Sequence, residues 1–599
     1  MIPTTDLYLA PIPKRLSMRE GVFNPNNKSY IMLRGDDPQS LIPAAKKSGL
    51  GWEITASPKA PLDQVGLIIH LDEDSGIPSE GYKLNIRPEK IEITASTPAG
   101  AFYGACTLSQ ILLQCGESMP CLLISDSPDY PARGVMLDVS RDKIPTMDTL
   151  YHLVDLLAGW KINQIQLYFE IAFAYPAHPV VRKGETPITG EQVLLLDAYC
   201  KERFIELVPN QNSFGHMERW LVHDEYRSMA EAPDGCDTIW GWREAFSLCP
   251  GDKRSLPFVR GLFDELLPHF SSNMFNVGLD ETVDLGCVRS KEICERKGVG
   301  RVYLDFLLKI YSLVKQHDRT MMFWGDIVIK HPELIPDLPK DVIAIEWGYE
   351  DDHPYDEDCS KFEEAGLSFY VAPGTSGWNT LAGRTDNTVE NITNAARNGL
   401  KHGAIGLLNT DWGDVGHWHP LPVSYLGYLA GAMASWNSKS DIKPDMAMNL
   451  SIHAFGDLTG KMGTAFHDLG NAYKAFKKLL YNSSVPWQML FTPPDDEYMK
   501  ENLTIGEFEE LRRRLDQIAE SVCGEEMTAP DADIVREEFP HVLAMLRLAE
   551  HVGKCRLGAP GSENIPAAVE ALKKEHARIW LLRNRPGGLS VSTGKIKVG

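Results

Sequence analysis

The chain has 599 residues, and 82 acidic against 60 basic side chains give it a formal charge of −22 at pH 7. Nucleic acids and anionic membranes bind cationic surfaces, so this balance argues against both as the main partner. No run of about 18 apolar residues is present, which argues against a membrane-spanning helix.

Eleven cysteines are scattered along the chain without CxxC pairs. This distribution is typical of free thiols and not of a disulfide framework or a zinc site. The opening residues lack the charged and apolar regions of a signal peptide. We therefore expect a cytoplasmic protein, or a secreted or periplasmic one if a signal precedes the sequence given.

Residues 1–128 predict a small α+β domain. Short β-like runs at 66–71, 82–86 and 91–95 are separated by turn residues, and the last two alternate apolar and polar side chains. A helical segment follows from Pro98 to Leu113. Prolines at 128 and 131 mark the end of this unit.

Residues 129–438 predict a (β/α)8 TIM barrel, because strand-like and helical segments alternate eight times over about 305 residues. An open α/β sheet usually has only five or six strands. Helical periodicity separates the runs, for example at 147–160, 191–202, 301–317 and 389–399. The eight strand-like runs lie at 134–139, 162–168, 204–209, 274–278, 320–324, 342–347, 368–372 and 404–409.

Residues 439–599 predict a C-terminal helical domain, since the strand signal fades there. Segments 466–481, 505–522, 534–557 and 565–582 are amphipathic at helical spacing. We expect this region to act mainly as scaffold. It could also complete a dimer or shape a cleft, and the pattern does not choose between these roles.

The reactive groups of a (β/α)8 barrel lie at the C-terminal ends of its strands. Carboxylates and tryptophans dominate these positions, whereas the Gly-rich loops with Lys or Arg that hold phosphates are largely missing. In chain order the strand ends carry Asp138, Arg141, Glu170, His216, Asp280, Glu281, Trp324, Asp326, Glu346, Trp347, Trp378, Trp412 and Asp414.

This combination favours a carbohydrate ligand, because tryptophan rings stack on apolar sugar faces while carboxylates hold hydroxyls. Cleavage of a glycosidic bond also needs a carboxylic acid with a raised pKa to protonate the leaving oxygen. Asp280 and Glu281 are adjacent at the fourth strand end. Each disfavours ionisation of the other, which can leave one protonated near neutral pH.

Three motifs, in order along the chain, resemble glycoside hydrolase family 20, the β-N-acetylhexosaminidases. Residues 81–104 resemble the α+β domain that precedes the catalytic barrel of that family, and Arg133–Arg141 resembles its opening barrel strand. Phe275–Glu281 resembles its Gly-x-Asp-Glu signature. Segments 213–218 and 278–286 further resemble the hexosaminidase-D-like branch. The resemblance covers about residues 60–440.

The resemblance implies an exo-acting enzyme that removes terminal GlcNAc or GalNAc with retention, without metal or organic cofactor. The 2-acetamido oxygen of the sugar attacks the anomeric carbon and forms an oxazolinium intermediate. Glu281 would then be the general acid and later the base, and Asp280 would hold the acetamido N–H. The hexosaminidase-D-like segments add some support for the galacto configuration, by analogy only.

The resemblance also implies roles for substrate-binding residues. Arg133 would grip hydroxyls of the terminal sugar, Asp414 would bind its O4 or O6 hydroxyl, and His216 would support the acid. The walls of the acetamido pocket and the sugar face would be formed by Trp324, Trp347 and Trp412.

Three positions depart from the family pattern. One is Leu279, which stands before Asp280 where a second glycine is frequent. Many members have Asp-Asp after the second strand, whereas this chain offers only Glu170 there. No tyrosine stands clearly in the strand-7 loop, where the family clamps the acetamido carbonyl. Trp378, Asn379 and Tyr349 are the candidates to replace it.

Two other functions remain open from the sequence. The first is a barrel glycosidase with its own carboxylate nucleophile, for which Glu346, Asp326 or Glu170 would be candidates. The second is a non-catalytic glycan-binding protein on the same barrel. His417 and His419 suggest a metal site, but a third ligand at fixed spacing is missing, so we expect no metal.

Overall fold

A computed structural model of the chain describes residues 7–116, 118–522 and 526–598. Within these ranges the chain forms a mixed sheet, a closed parallel barrel and a set of C-terminal helices. None of the helices in this described part combines the length and apolarity that crossing a membrane requires.

The N-terminal part is a seven-stranded sheet covered by helices. Its strands are β1 Leu16–Phe23, β2 Tyr30–Arg34, β3 Glu53–Thr55, β4 Val65–Leu71, β5 Tyr82–Ile86, β6 Ile91–Ala95 and β7 Met119–Asp126. Its helices are α1 Ile42–Lys47 and α2 Pro98–Cys115. The strand order is β1-β7-β5-β6-β4-β2-β3. Alternate residues of β5 and β6 are buried, which is the pattern of a sheet with one covered face.

The barrel consists of eight parallel strands. They are β8 Ala132–Asp138, β9 Gln164–Phe169 and β10 Glu206–Gln211, then, after a hairpin of β11 Cys236–Thr238 and β12 Gly241–Arg243, β13 Met274–Asn276, β14 Thr320–Trp324, β15 Ile343–Trp347, β16 Ser368–Ala372 and β17 Gly406–Asp411. They close in the order β10-β13-β14-β15-β16-β17-β8-β9. The predicted (β/α)8 fold is confirmed.

Helices surround the barrel and bury the apolar outer side of its strands. They are α3 Met147–Gly159, α4 Gly190–Lys201, α5 Glu218–Leu221, α6 Asp224–Arg227, α7 Ser255–Leu266, α8 Lys291–Lys297, α9 Val299–Gln316, α10 Asp326–Lys330, α11 Tyr355–Glu364, α12 Thr385–Lys401 and α13 Pro422–Trp436. The side chains of β9 are all buried, as expected for a parallel strand covered on both faces.

The C-terminal part is helical. Its helices are α14 Met446–Phe455, α15 Lys461–Gly470, α16 Val485–Phe491, α17 Asp496–Asn502, α18 Ile505–Ser521, α19 Ala532–Arg556, α20 Ile565–Arg583 and α21 Leu589–Thr593. One expectation is wrong, because no single helix spans 466–481. A Cβ on Gly470 would lie 2.1 Å from Thr385 Oγ1, so α15 ends against the start of α12. The chain beyond it runs to the mouth of the barrel.

Candidate active site

A cleft lies at the C-terminal ends of the barrel strands, where the fold predicts the reactive groups. Eight of the predicted site residues line it together, although they come from different strand ends. Its lining residues are Arg141, His216, Asp280, Glu281, Trp324, Trp347, Tyr349, Trp378, Trp412, Asp414 and Asn482.

The loop after β13 places the two carboxylates through an unusual backbone path. Gly278 has φ +70°, and a Cβ there would lie 1.5 Å from Asn212 Oδ1, so only glycine fits. Leu279 and Glu281 also have positive φ, at +75° and +49°. Left-handed conformations are costly for such residues and cluster at functional sites. The turn thus points Asp280 and Glu281 into the cleft at a cost in backbone strain.

His216 joins the two carboxylates. Its Nε2 lies 3.1 Å from Glu281 Oε2 and 3.3 Å from Asp280 Oδ2. Burial lowers the pKa of His216, but the two carboxylates outweigh this and raise it well above its ordinary value. The imidazolium therefore holds both acids in fixed orientations.

Asp280 keeps one acceptor free. Its residue is 7% exposed, yet Oδ1 is buried without a hydrogen-bond partner. The indole Nε1 of Trp324 is buried and unpartnered as well. Most buried polar atoms in proteins are paired, so such orphaned atoms at a cleft are suited to a ligand. Asp280 Oδ1 offers an acceptor to an N–H or O–H group.

Aromatic rings form one wall of the cleft. Tyr349 packs on Trp347 with ring centroids 5.2 Å apart and meets Trp378 edge-on at 5.0 Å. Trp412 Nε1 donates a hydrogen bond to Tyr349 Oη at 2.8 Å. Of the three candidates for the acetamido clamp, Tyr349 and Trp378 line the cleft, and Tyr349 brings a hydroxyl.

The structure corrects the prediction for Arg133. This side chain is fully buried at the beginning of β8, the opposite end of the barrel from the cleft. It pairs with Glu80 at 2.6 Å and donates to the backbone oxygen of Lys161 at 2.9 Å. Arg133 therefore joins the N-terminal sheet to the barrel and does not reach a ligand in the cleft.

Arg141 is the arginine of the cleft. Its guanidinium pairs with Asp138 at 3.1 Å and with Glu170 at 3.4 Å. It also lies over the rings of Tyr168 and Trp412, 4.5 and 5.1 Å from their centroids. The signal that could have identified it is strand direction, since Arg141 follows β8 whereas Arg133 lies at its start.

Glu170 does not line the cleft either, which corrects its prediction as a substrate-binding residue. It is 1% exposed and accepts a hydrogen bond from Tyr168 Oη at 3.0 Å. It pairs with Arg141 and, at 3.5 Å, with Arg219. Glu170 therefore orients the Arg141 side chain through this ion pair and does not itself line the cleft.

Asp414 and Asn482 complete the cleft from two distant parts of the chain. Asp414 is partly buried, accepts a hydrogen bond from Asn379 Nδ2 at 2.8 Å, and has a pKa that burial raises to about 6. Asn482 comes from the segment between α15 and α16, and its backbone N–H donates to Glu350. Sequence reasoning missed Asn482, because no pattern in the helical region marks it.

The candidates for an enzyme-borne nucleophile are not among the lining residues. Glu346 is 2% exposed and bound to His353 at 2.8 Å, and burial raises its pKa to about 7. Burial, aided by the charge of Asp280, likewise raises the pKa of Asp326 to about 7. Both carboxylate oxygens of Asp326 are buried without a hydrogen-bond partner.

Two groups of side chains in the described ranges have the spacing to hold a metal ion. Their ligand atoms all lie within 4.8 Å of one another. One group is His216, Asp280 and Glu281, and the other is Glu346, His353 and Asp358. Both already form internal ion pairs through their histidine, which accounts for their geometry without a metal.

Two family models match the chain over the sheet and the barrel. The model of "Glycosyl hydrolase family 20, catalytic domain" matches residues 130–378. The model of "Glycosyl hydrolase family 20, domain 2" matches residues 6–127. The first match contains the Asp280–Glu281 turn.

Curated relatives resemble part of the chain. A beta-hexosaminidase of Akkermansia muciniphila is 25% identical over 324 residues, which cover 49% of this chain and 64% of the relative. A beta-hexosaminidase of Porphyromonas gingivalis is 26% identical over 375 residues, covering 55% and 46% respectively. The chain thus spans less than two thirds of the length of either relative.

A solved structure resembles nearly the whole chain. The chitobiase of Flavobacterium johnsoniae superposes with a TM-score of 0.62 and covers 95% of this chain and 97% of its own. Its sequence identity is 17%. At this identity the similarity shows a shared fold, including the C-terminal region.

Proposed function

The chain belongs to glycosyl hydrolase family 20, and we propose that it is an exo-acting, retaining β-N-acetylhexosaminidase that releases terminal β-linked GlcNAc or GalNAc. One observation carries the proposal. Asp280, whose buried Oδ1 has no hydrogen-bond partner, lines a tryptophan-walled cleft beside Glu281, which His216 contacts at 3.1 Å. An acetamido N–H is the donor that such an acceptor would take, and Glu281 would serve the glycosidic oxygen.

The first step of the proposed reaction breaks the glycosidic bond. The acetamido oxygen attacks the anomeric carbon while Glu281 donates its proton to the leaving oxygen, and the alcohol departs. Asp280 accepts the hydrogen bond of the acetamido N–H, which carries positive charge in the resulting oxazolinium. A carboxylate aimed at a developing positive charge stabilises the transition state more than the ground state.

The second step consumes water. Glu281, now a carboxylate, takes a proton from water, and the hydroxyl oxygen bonds to the anomeric carbon as the acetamido oxygen leaves. Two inversions at this carbon give overall retention. The products are the free N-acetylhexosamine and the alcohol, and Glu281 is again protonated.

The rest of the cleft suits one terminal sugar. Trp324 and Trp378 are each 1% exposed, so the cleft is closed at its base. The half-exposed Trp347 and the nearly buried Trp412 present rings to a sugar face and an acetamido methyl. Arg141 and Asp414 offer a donor and an acceptor to ring hydroxyls. A closed pocket of this kind supports removal of terminal units.

The test is the variant Glu281→Gln, assayed on aryl β-N-acetylglucosaminides and β-N-acetylgalactosaminides. Turnover should fall at least about a hundredfold, because general-acid catalysis is lost. Glu292→Gln, an exposed carboxylate on α8, is the matched control and should leave turnover unchanged. The preferred sugar follows from the wild-type comparison.

The same assay separates this mechanism from its rivals. A thiazoline that mimics the oxazolinium should inhibit the wild type tightly, whereas an enzyme-borne nucleophile predicts a trapped glycosyl-enzyme instead. Near-full activity of Glu281→Gln would refute the assignment. Sugar binding without any turnover in the wild type would favour a non-catalytic glycan-binding protein.

A further inference from the structure

The hairpin of β11 and β12 carries an unusually exposed apolar tip. Ile239, Trp240 and Trp242 are 84%, 39% and 62% exposed, all within four consecutive residues. Exposed clusters of large apolar side chains mark interaction sites on soluble proteins. This segment, residues 236–243, is called the tryptophan hairpin below.

The tryptophan hairpin lies on the cleft face of the barrel, since it follows the C-terminal end of β10. A chain of contacts links it to the general acid. The Trp240 ring meets Phe246 edge-on at 6.0 Å, and Phe246 meets the imidazole of His216 at 4.9 Å. His216 then contacts Glu281 at 3.1 Å. Because His216 also lies 3.3 Å from Asp280, the contacts place the hairpin on the side of the cleft that carries His216 and the two carboxylates.

Hydrogen bonds join the tryptophan hairpin and the residues on either side of it to the loop that follows Glu281. Ser247 N–H donates to Asp284 Oδ2 at 3.0 Å, and Ser290 N–H donates to Glu231 Oε1 at 2.8 Å. The Cys287 thiol lies 3.8 Å from the backbone oxygen of Asp237 in the hairpin itself. These contacts fix the backbone around the exposed rings relative to the turn that carries Asp280 and Glu281. Less conformational entropy is therefore lost when the rings bind a ligand.

The direction of the reaction identifies what the hairpin would meet. Glu281 gives its proton to the leaving oxygen, so the group that leaves lies on the Glu281 side of the scissile bond. The terminal sugar occupies the tryptophan-walled pocket beyond that bond. We propose that the tryptophan hairpin binds the sugar unit to which the terminal N-acetylhexosamine is attached, with Trp242 as the main contact.

The chemistry of the hairpin favours a sugar in this position. Its flat rings alternate with groups that can bond hydroxyls, such as the exposed Asp237, while Arg243 lies over the Trp240 ring at 5.2 Å. An uncharged sugar presents C–H faces and hydroxyls to such a surface. A lipid-like leaving group would use only the rings.

The experiment compares three substrates that share the preferred terminal sugar and differ in the leaving group. The leaving group is fluoride in the first, a disaccharide in the second and octanol in the third. This inference rests on the proposed function, and the fluoride tests that function without occupying the hairpin. Trp242→Ala should lower the ratio of kcat/KM for the disaccharide-linked substrate to that for the fluoride by about tenfold. Trp242→Phe should restore most of the ratio. Leu62→Ala, an equally exposed apolar residue before β4, should leave it unchanged.

Each other outcome has a distinct meaning. An unchanged ratio, or an equal loss on fluoride and disaccharide, would overturn the role of the hairpin. A loss confined to the octyl substrate would overturn it in favour of a lipid-like leaving group. If the wild type fails to hydrolyse even the fluoride, the proposed function itself is refuted and the hairpin loses its role with it.

Discussion

The two arginines that flank β8 lie at opposite ends of the barrel and in opposite kinds of environment. Arg133, at the base, pairs with Glu80 and donates to backbone oxygens, and it lies over the rings of Tyr103 and Trp436. Arg141, at the mouth, has one side held by carboxylates and the other open to the cleft.

The same contrast holds for the groups around them. At the base, Asp126 accepts hydrogen bonds from Tyr82 and Trp436. At the mouth, Asp280 Oδ1, both oxygens of Asp326 and Trp324 Nε1 are buried without a hydrogen-bond partner, although Lys330 lies 3.8 Å from Asp326 Oδ2. The base also leaves Arg133 Nη2 buried without a hydrogen-bond partner. Unpaired buried polar groups cost stability, so the mouth, with more of them around its arginine, gives up more stability than the base. The difference separates residues that hold the fold from residues available to a ligand.

Replacing Arg133 with methionine would test the base and should have the largest effect. The substitution breaks the ion pair with Glu80 and leaves the backbone oxygens of Lys161 and Tyr130 without their donor, so the free energy of unfolding should fall by about 3 kcal/mol. The folded fraction should keep kcat within about twofold, since Arg133 is remote from the cleft. Urea unfolding followed by tryptophan fluorescence, together with kcat, measures both quantities.

The control for Arg133→Met is Arg513→Met on α18. Arg513 is an exposed arginine paired with Glu510, and because solvent screens such a pair, its loss should leave the free energy of unfolding nearly unchanged. If Arg133→Met instead keeps its stability and loses turnover, the division between base and mouth is wrong and Arg133 belongs to the substrate site.

Arg141→Lys tests the mouth and should lower kcat/KM by roughly 30- to 100-fold, or about 2–3 kcal/mol. Lysine keeps the charge, but it cannot bond two carboxylates, cover the Trp412 ring and still reach a sugar hydroxyl. Arg219→Lys is the matched control, because Arg219 also pairs with Glu170 but does not line the cleft. Equal losses in both variants would mean that Arg141 acts only through Glu170.

The sequence predicts the barrel well because buried parallel strands leave apolar runs that can be counted. The rule that strand ends carry chemistry then places Asp280, Glu281 and the tryptophans in one cleft. The motif Arg133–Arg141 has an arginine at each end, and the family resemblance alone predicts Arg133 as the substrate-binding residue. Strand direction favours Arg141 instead, because Arg141 follows β8 whereas Arg133 lies at its start.

Other features of the site depend on three-dimensional packing. Asn482 lies in the segment after α15, whose last residue, Gly470, packs closely against Thr385 at the start of α12. The resemblance predicts the clamp residue after the seventh barrel strand, β16, whereas Tyr349 follows the sixth, β15. Its hydroxyl nevertheless accepts a hydrogen bond from Trp412 in the cleft. Neither position can be read from periodicity, because each is set by elements distant in the chain.

Asp326→Asn tests the mouth through the pH dependence of unfolding. Burial raises the pKa of Asp326 from 3.8 to about 7, so the folded protein binds a proton that the unfolded chain releases above about pH 4. Raising the pH from 4 to 7 therefore favours unfolding, and this carboxyl alone should cost about 3 kcal/mol across that window. The asparagine variant binds no such proton, so its stability should fall less between pH 4 and 7.

The control for this test is Asp337→Asn, an exposed carboxylate paired with Arg301, which should leave the pH dependence of unfolding as in the wild type. Unfolding free energies at pH 4, 5.5 and 7 would decide between the two outcomes. Identical slopes for wild type and Asp326→Asn would mean that Asp326 is paired when folded. Asp326 would then not be a source of instability at the mouth of the barrel. Any stability lost there would come from Asp280 and the strained turn around it.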